Sequence, residues 1–310
     1  MKETNPKTLI RIDNLKSLYS NIKDDFFLEN NKNTSFEINS IKSPALAEFE
    51  KESTNIFFIP VSCQENYSGN YDNYIQSTLS HICSLRALPY EKILENENLH
   101  MNYPSDDIKN ISNSNKKLLL LDLDETLIHS EYPISENNIN KYDSILRFKN
   151  NNPDFEDNNE YCEVGIFIRN GVQKFLSLLN NYFNIGIFTA SEKDYADAII
   201  SYLDPNKNIF KFCLYRYNCI NVNNLVCIKD LRIIKNIDLK KTVLIDNNIY
   251  SFSLQLNNGI LINSYYGEKN DNELNNVLCY LLQFILPADD VRKVNDNFFG
   301  FEKLCKKINE

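Results

Sequence analysis

Leu118-Leu119-Leu120-Leu121-Asp122-Leu123-Asp124-Glu125-Thr126 sets two aspartates, separated by one residue, directly after four consecutive leucines. A four-residue apolar run closed by polar residues reads as a strand buried on both faces. Working outward, three more such runs follow: Ile185-Gly186-Ile187-Phe188, Thr242-Val243-Leu244-Ile245 and Gly259-Ile260-Leu261-Ile262. Helix-period segments accompany them, from Gly171 to Asn180, from Glu192 to Tyr202 and, as a terminal helix, over about 272–285. Short apolar runs alternating with helices predict an α/β fold built on a parallel sheet.

Three of the four runs end in polar groups at the same relative place: Asp122 and Asp124, then Thr189, then Asp246-Asn247. Ligands of an open parallel sheet bind outside the carboxyl ends of its strands, so these groups are expected to converge. Carboxylates at the end of a buried strand lose hydration, which a cation or a proton must offset. The plain structural readings are a helix-capping carboxylate for Asp122, a polar turn residue for Asp246 and surface side chains for Thr189 and Lys229. The D-x-D-x-T pattern alone is too short to decide between them.

The 310 residues are 43% hydrophobic and 12% aromatic, enough for a core that stands unaided. The net charge of −9 and a pI near 5.1 argue against a sequence-independent grip on nucleic acid, which depends on neutralising phosphates. Eight cysteines (Cys63, Cys83, Cys162, Cys213, Cys219, Cys227, Cys279, Cys305) form no C-x-x-C pair. They are expected as reduced core residues of an intracellular protein rather than as a zinc site or disulfides. Neither an apolar leader nor an apolar run of about 18 residues is present, so a soluble chain without membrane contact is expected.

Residues 1–73 are Asn- and Lys-rich with only short apolar pieces, and are expected to be mostly disordered. Residues 74–116 hold an amphipathic helix from Tyr74 to Leu94 and an Asn- and Ser-rich linker; the helix either braces the domain or docks elsewhere. The folded domain is 117–310. Within it, the segments 143–148 and 163–168 read as hairpin strands joined by a polar loop, and 210–228 as short β-structure. Neither insertion is long enough to be a capping domain.

The string Leu121-Asp122-Leu123-Asp124-Glu125-Thr126-Leu127-Ile128-His129-Ser130 resembles the first motif of the haloacid dehalogenase superfamily. More narrowly, it resembles the branch of small phosphatases acting on the C-terminal domain of RNA polymerase II. Ile187-Phe188-Thr189-Ala190-Ser191, Tyr195-Ala196-Asp197, Lys229-Asp230-Leu231 and Leu244-Ile245-Asp246-Asn247 continue the likeness in family order over about 117–295. The resemblance implies a Rossmann-like three-layer parallel sheet, capless, with a small β-hairpin insertion. It also implies a Mg²⁺-dependent protein serine/threonine phosphatase working through an aspartyl-phosphate, with phosphoserine or phosphothreonine proteins as substrates and the polymerase C-terminal domain among them.

In that resemblance Asp122 stands for the nucleophile, and Asp124 for the general acid that protonates the leaving oxygen and then activates water. With a second carboxylate beside it, Asp124 can hold a proton. Asp122, the carbonyl of Asp124 and Asn247 take the places of the Mg²⁺ ligands, with Asp246 beside the metal. Thr189 and Lys229 take those of the groups that hold the transferring phosphoryl. Arg216 matches an arginine near the substrate phosphate, or is an exposed solubilising residue. Tyr132 matches an aromatic that packs on a substrate proline, or packs its own loop. His129 reads as structural, because Asp124 already supplies the acid.

Three departures bear on substrate more than on chemistry. Asn248-Ile249 follows Asp246-Asn247 where the family commonly has Ser-Pro, Arg169-Asn170-Gly171 stands where a proline is usual, and the polar stretch 149–160 is inserted in the substrate-facing hairpin. The missing cap implies an open cleft and hence a polypeptide substrate. Two alternatives stand beside this reading. One is a non-catalytic scaffold of the same fold, like the mitochondrial import receptor, which is expected to carry an anchor and degraded motifs. The other is a nuclear-envelope phosphatase, expected to carry an N-terminal membrane segment. Nucleus or cytoplasm is the expected location, and the sequence carries no signal of oligomeric state.

Overall fold

The four leucines lie in a strand whose side chains point alternately to the two faces of a sheet, and all four are buried. The computed structural model describes residues 70–87, 115–134, 136–149, 161–222, 226–234 and 236–309, all within one compact unit, Ile56–Glu310. The expected disordered region up to residue 69, the linker over 88–114 and the loop over 150–160 lie outside the described residues.

In chain order the elements begin with helix α1 (Asn70–Arg86) and strands β1 (Lys117–Leu121), β2 (Ile128–Glu131), β3 (Ser144–Lys149) and β4 (Tyr161–Ile168). Helix α2 (Val172–Leu179), strand β5 (Phe183–Phe188), helix α3 (Lys193–Leu203) and strand β6 (Phe210–Leu214) come next. Then follow the short strands β7 (Ile220–Val222) and β8 (Val226–Ile228), and β9 (Thr242–Asp246). A 3₁₀ stretch, Ile249–Asn258, leads to β10 (Gly259–Leu261), and after it come helices α4 (Glu273–Tyr280), α5 (Val291–Phe298) and α6 (Phe301–Asn309).

Five strands form one parallel sheet in the order β10-β9-β1-β5-β6. Every residue of β5 and of β9 is buried, so the sheet is covered on both faces. Right-handed crossovers put α2 and α3, which carry the chain outward from β1 to β5 and β6, on one face. The Ile249–Asn258 stretch runs the opposite way, to β10, and belongs to the other face. This is the expected three-layer α/β architecture, with β6 added as a fifth strand from the 210–228 segment. Because the connections run in opposite directions on either side of β1, the crevice at its carboxyl end is where such a sheet binds ligands.

Two helices show how the apolar spacing becomes packing. α2 buries Val172, Phe175, Leu176 and Leu179, and α3 buries Ala196, Ile199 and Leu203. Asp204 then closes α3 by accepting the backbone N–H groups of Asn208, Ile209 and Phe210 at 3.0, 2.8 and 3.1 Å, which turns the chain into β6.

The expected hairpin is present as β3 and β4, paired antiparallel, but β2 adds a third strand on the other edge of β4. Ile128-His129-Ser130-Glu131 is too short and too polar to read as a strand alone; pairing with β4 makes it one. The helix expected over 272–285 is α4 continued by a π-helical turn, Leu281–Ile285, and it is not terminal, since α5 and α6 follow. Gly300, with φ +62°, supplies the turn between those two.

Helix α1 begins earlier than expected, and it braces the domain. His81 Nδ1 lies 2.9 Å from Tyr250 Oη, the Cys83 thiol donates to Cys305 O at 3.6 Å, and Arg86 pairs with Glu302 at 3.0 Å. The seven described cysteines are free thiols, five of them buried, as expected for reduced core residues. Among the described residues no helix is long and apolar enough to cross a membrane.

Candidate active site

Asp122 continues the line of β1, its backbone N–H donating to Ile245 O of β9 at 3.0 Å. Its buried carboxylate accepts two hydrogen bonds, from the Thr126 hydroxyl on Oδ2 at 3.0 Å and from Lys229 Nζ on Oδ1 at 2.5 Å. Lys229 Nζ also donates to Asp246 Oδ2 at 2.6 Å, and Lys229 is only 1% exposed. Two backbone bonds hold this triad: Lys229 N–H donates to Ser251 O at 2.7 Å, and Asn248 N–H donates to Asp246 Oδ1 at 2.8 Å. Burial opposes the charge on Lys229, but Asp122 and Asp246 outweigh it and raise its pKa, so it stays an ammonium. Burial pushes the Asp246 carboxyl up to about 6 against the pull of Lys229. Two carboxylates facing one ammonium leave the cluster short of positive charge.

The turn after β1 separates the second aspartate from the first. The N–H groups of Thr126, Leu127 and Ile128 all converge on Leu123 O, at 3.2, 2.8 and 3.1 Å. Glu125 takes φ +56°, a left-handed conformation that costs a residue with a side chain roughly 1–3 kcal/mol and persists where its surroundings over-determine it. The turn aims Asp124 at the start of α3. There Ser191 Oγ donates to its Oδ2 at 2.6 Å and the Tyr195 hydroxyl donates to its Oδ1. Asp124 keeps more accessible surface than Asp122, yet its carboxylate is enclosed deeply enough that burial pushes it up to about 6. The two hydroxyls pull it down, and the charges of Asp122 and Glu125 add a smaller upward push. This corrects the expectation that a neighbouring carboxylate is what holds a proton on Asp124: desolvation leads.

Thr189, at the end of β5, is buried; its N–H donates to Leu214 O at 2.9 Å and its Oγ1 accepts the N–H of Ser191 at 3.0 Å. Asn247 follows Asp246 and donates its amide to Ser264 Oγ at 3.0 Å. Asp122, Lys229 and Asp246 therefore meet directly, and Thr189 and Asp124 meet through Ser191. Arg216 anchors its backbone N–H on Ser191 O at 3.0 Å, but its guanidinium is 52% exposed and pairs with Glu192 at 3.2 Å. Tyr132 lies just past β2 and is 49% exposed. His129 fits its structural reading, with Nδ1 3.0 Å from Glu125 Oε1 and its ring stacked on Phe167 and edge-on to Tyr266.

Ser191 and Tyr195 had no assigned role from sequence, although both sit inside motif strings. Their signal was a hydroxyl residue just past a strand end and another one turn into the next helix. The nearby thiol of Cys219 is pushed up to about 12 by burial, which leaves it without thiolate character for nucleophilic work. Among the described residues no three His, Cys, Asp or Glu side chains group as a metal-holding cluster.

Residues 117–292 match the family model described as NLI interacting factor-like phosphatase. CTD small phosphatase-like protein 2 of Dictyostelium discoideum is 37% identical over 187 residues, spanning 60% of this chain and 30% of that protein. CTD small phosphatase-like protein 3 of Caenorhabditis elegans is 36% identical over 177 residues, 57% of each chain. CTD nuclear envelope phosphatase 1B of Danio rerio is 34% identical over 191 residues, 59% of this chain and 73% of the relative. The chain thus spans less than two thirds of the first two relatives. With more than half its length matched by the family model, and the parallel sheet and motif residues as described, the chain belongs to the NLI interacting factor-like phosphatase family.

Proposed function

We propose that this chain is a Mg²⁺-dependent protein phosphatase that removes phosphate from phosphoserine or phosphothreonine through an aspartyl-phosphate on Asp122. The observation that carries the reading is the contrast of two aspartates in one turn, Asp122 against a buried ammonium and Asp124 against hydroxyls. Asp122 attacks phosphorus; the bond from phosphorus to the seryl oxygen breaks, and that oxygen takes the proton of Asp124. Asp124, now a carboxylate, takes a proton from the water that cleaves the aspartyl-phosphate, and both aspartates return to their starting states. Lys229 offsets the charge of the phosphoryl oxygens. Thr189 accepts the N–H of Ser191, which leaves its own hydroxyl proton for one of those oxygens.

The oxygen donors suit a hard cation that keeps several waters: the Asp122 carboxylate, the Asp124 carbonyl and the Oδ1 of Asn247, whose amide nitrogen is turned to Ser264, with Asp246 alongside. The shortfall of positive charge between Asp122 and Asp246 supports the fit. Bound there, Mg²⁺ would supply Lewis-acid charge neutralisation at the phosphoryl group.

The test is hydrolysis of a phosphoserine peptide and of p-nitrophenyl phosphate, with Mg²⁺ or with chelator, by wild type and Asp122→Asn. Wild type with Mg²⁺ is expected to turn over, and the variant to lose more than about a thousandfold, as expected for removal of a nucleophile. Equal rates would overturn the reading. The likeness to CTD nuclear envelope phosphatase 1B supports a nuclear setting, which a tagged full chain excluded from nuclei would contradict.

A further inference from the structure

We infer that Tyr195 and Ser191 are positioning residues for Asp124, a two-hydroxyl clamp that holds the acid in line with the leaving oxygen. The inference rests on the phosphatase reading and concerns which residues set the efficiency of its proton-transfer step. Each oxygen of Asp124 has its own donor, Ser191 on Oδ2 at 2.6 Å and Tyr195 on Oδ1. Two fixed donors define the carboxylate plane as well as its place, which one donor cannot do. The donors come from the segment that leaves β5, so the clamp ties the β1 turn to the start of α3. The clamp is itself held. Ser191 N–H is fixed on Thr189 Oγ1 at 3.0 Å, the Tyr195 ring lies edge-on to Phe148 of β3 at 5.7 Å, and Tyr195 Oη lies 2.8 Å from Ser130 Oγ of β2. A phenol has one proton; given to Asp124, it leaves Ser130 as donor to Oη, so the chain of hydroxyls points inward.

A positioned acid matters in proportion to how badly the leaving group needs its proton. The test is therefore kcat/KM for a series of aryl phosphates graded from p-nitrophenyl to phenyl phosphate, in wild type, Tyr195→Phe, Ser191→Ala and Ser191→Thr. No peptide is present, so contacts to a peptide cannot contribute. In Tyr195→Phe and Ser191→Ala the dependence on leaving-group basicity is expected to steepen, with a loss of about a hundredfold at phenyl phosphate and only about threefold at p-nitrophenyl phosphate. Ser191→Thr, which keeps the hydroxyl, is expected to restore the shallow dependence. A parallel loss across the series, or no change of slope, would overturn the clamp while leaving the phosphatase reading intact. Failure of wild type to hydrolyse any member with Mg²⁺ would overturn both.

Discussion

Asp122 and Asp124 are the same residue type, two positions apart, and the fold gives them opposite company. Asp122 looks toward the end of β9 and the residue after β8, where Asp246 and Lys229 make a dry ionic cluster. Asp124 looks toward the β5 and α3 side, where Ser191 and Tyr195 offer neutral donors. The strained turn at Glu125 sends successive polar side chains to the two sides. One side meets its aspartate with a buried ammonium, the other with two neutral hydroxyls. In the proposed reaction, the division of labour would follow from which segment supplies the partner, not from the aspartates themselves.

The ionic side is expected to break hardest. Lys229→Met leaves Asp122 and Asp246 buried and facing each other, and removing one partner of a buried ion pair costs about 3–5 kcal/mol. Urea unfolding should show a loss of that size, together with loss of hydrolysis. Adding Asp246→Asn to Lys229→Met removes one of the stranded charges and should recover part of the stability. A single variant as stable as wild type would mean that the triad is not the tightly coupled cluster the geometry implies.

The hydroxyl side should respond in the opposite sense. Asp124→Asn removes a desolvated carboxyl but keeps its shape, so the melting temperature is expected to hold or rise, while kcat/KM falls by about 10²–10⁴. Loss of stability comparable to that of Lys229→Met would erase the contrast between the two sides. A smaller effect tests what orients Asp122. Thr126→Val takes away the donor at 3.0 Å on Oδ2, and hydrogen bonds to charged groups contribute about 1.5–3 kcal/mol. Thermal unfolding should register a loss in that range.

Much of the ionic side was legible because its residues sit at strand ends, and strand ends can be read from short apolar runs: β1, β5, β9 and β10 fall where those runs predicted. The hydroxyl side was not, since Ser191 and Tyr195 acquire meaning only when the start of α3 is folded back against the β1 turn, 67 and 71 residues from Asp124. The same holds for Arg169, fully buried and paired bidentately with Asp271, 102 residues away, while a third nitrogen holds Thr126 O. No local pattern announces a contact of that span. β2 was missed because a four-residue polar strand is defined by its partner, and α6 because what it packs on, α1 and the Ile249–Asn258 stretch among them, lies far from it in sequence.

Arg216 marks the edge of the comparison and carries the smallest expected effect. Its backbone is tied to the hydroxyl side through Ser191 O, but its guanidinium points to Glu192 in solvent. An exposed ion pair contributes about 0–1 kcal/mol, so Arg216→Ala should leave the unfolding midpoint nearly unchanged. If solvent is where this side chain works, kcat/KM for p-nitrophenyl phosphate should also stay within about twofold of wild type, since no charge-assisted hydrogen bond to phosphate is lost. A tenfold rise in KM at constant kcat would show instead that Arg216 leaves Glu192 when substrate arrives. The cation deficit at Asp122 would then be met from the α3 side as well as from Lys229, and the two sides of the site would share the phosphate.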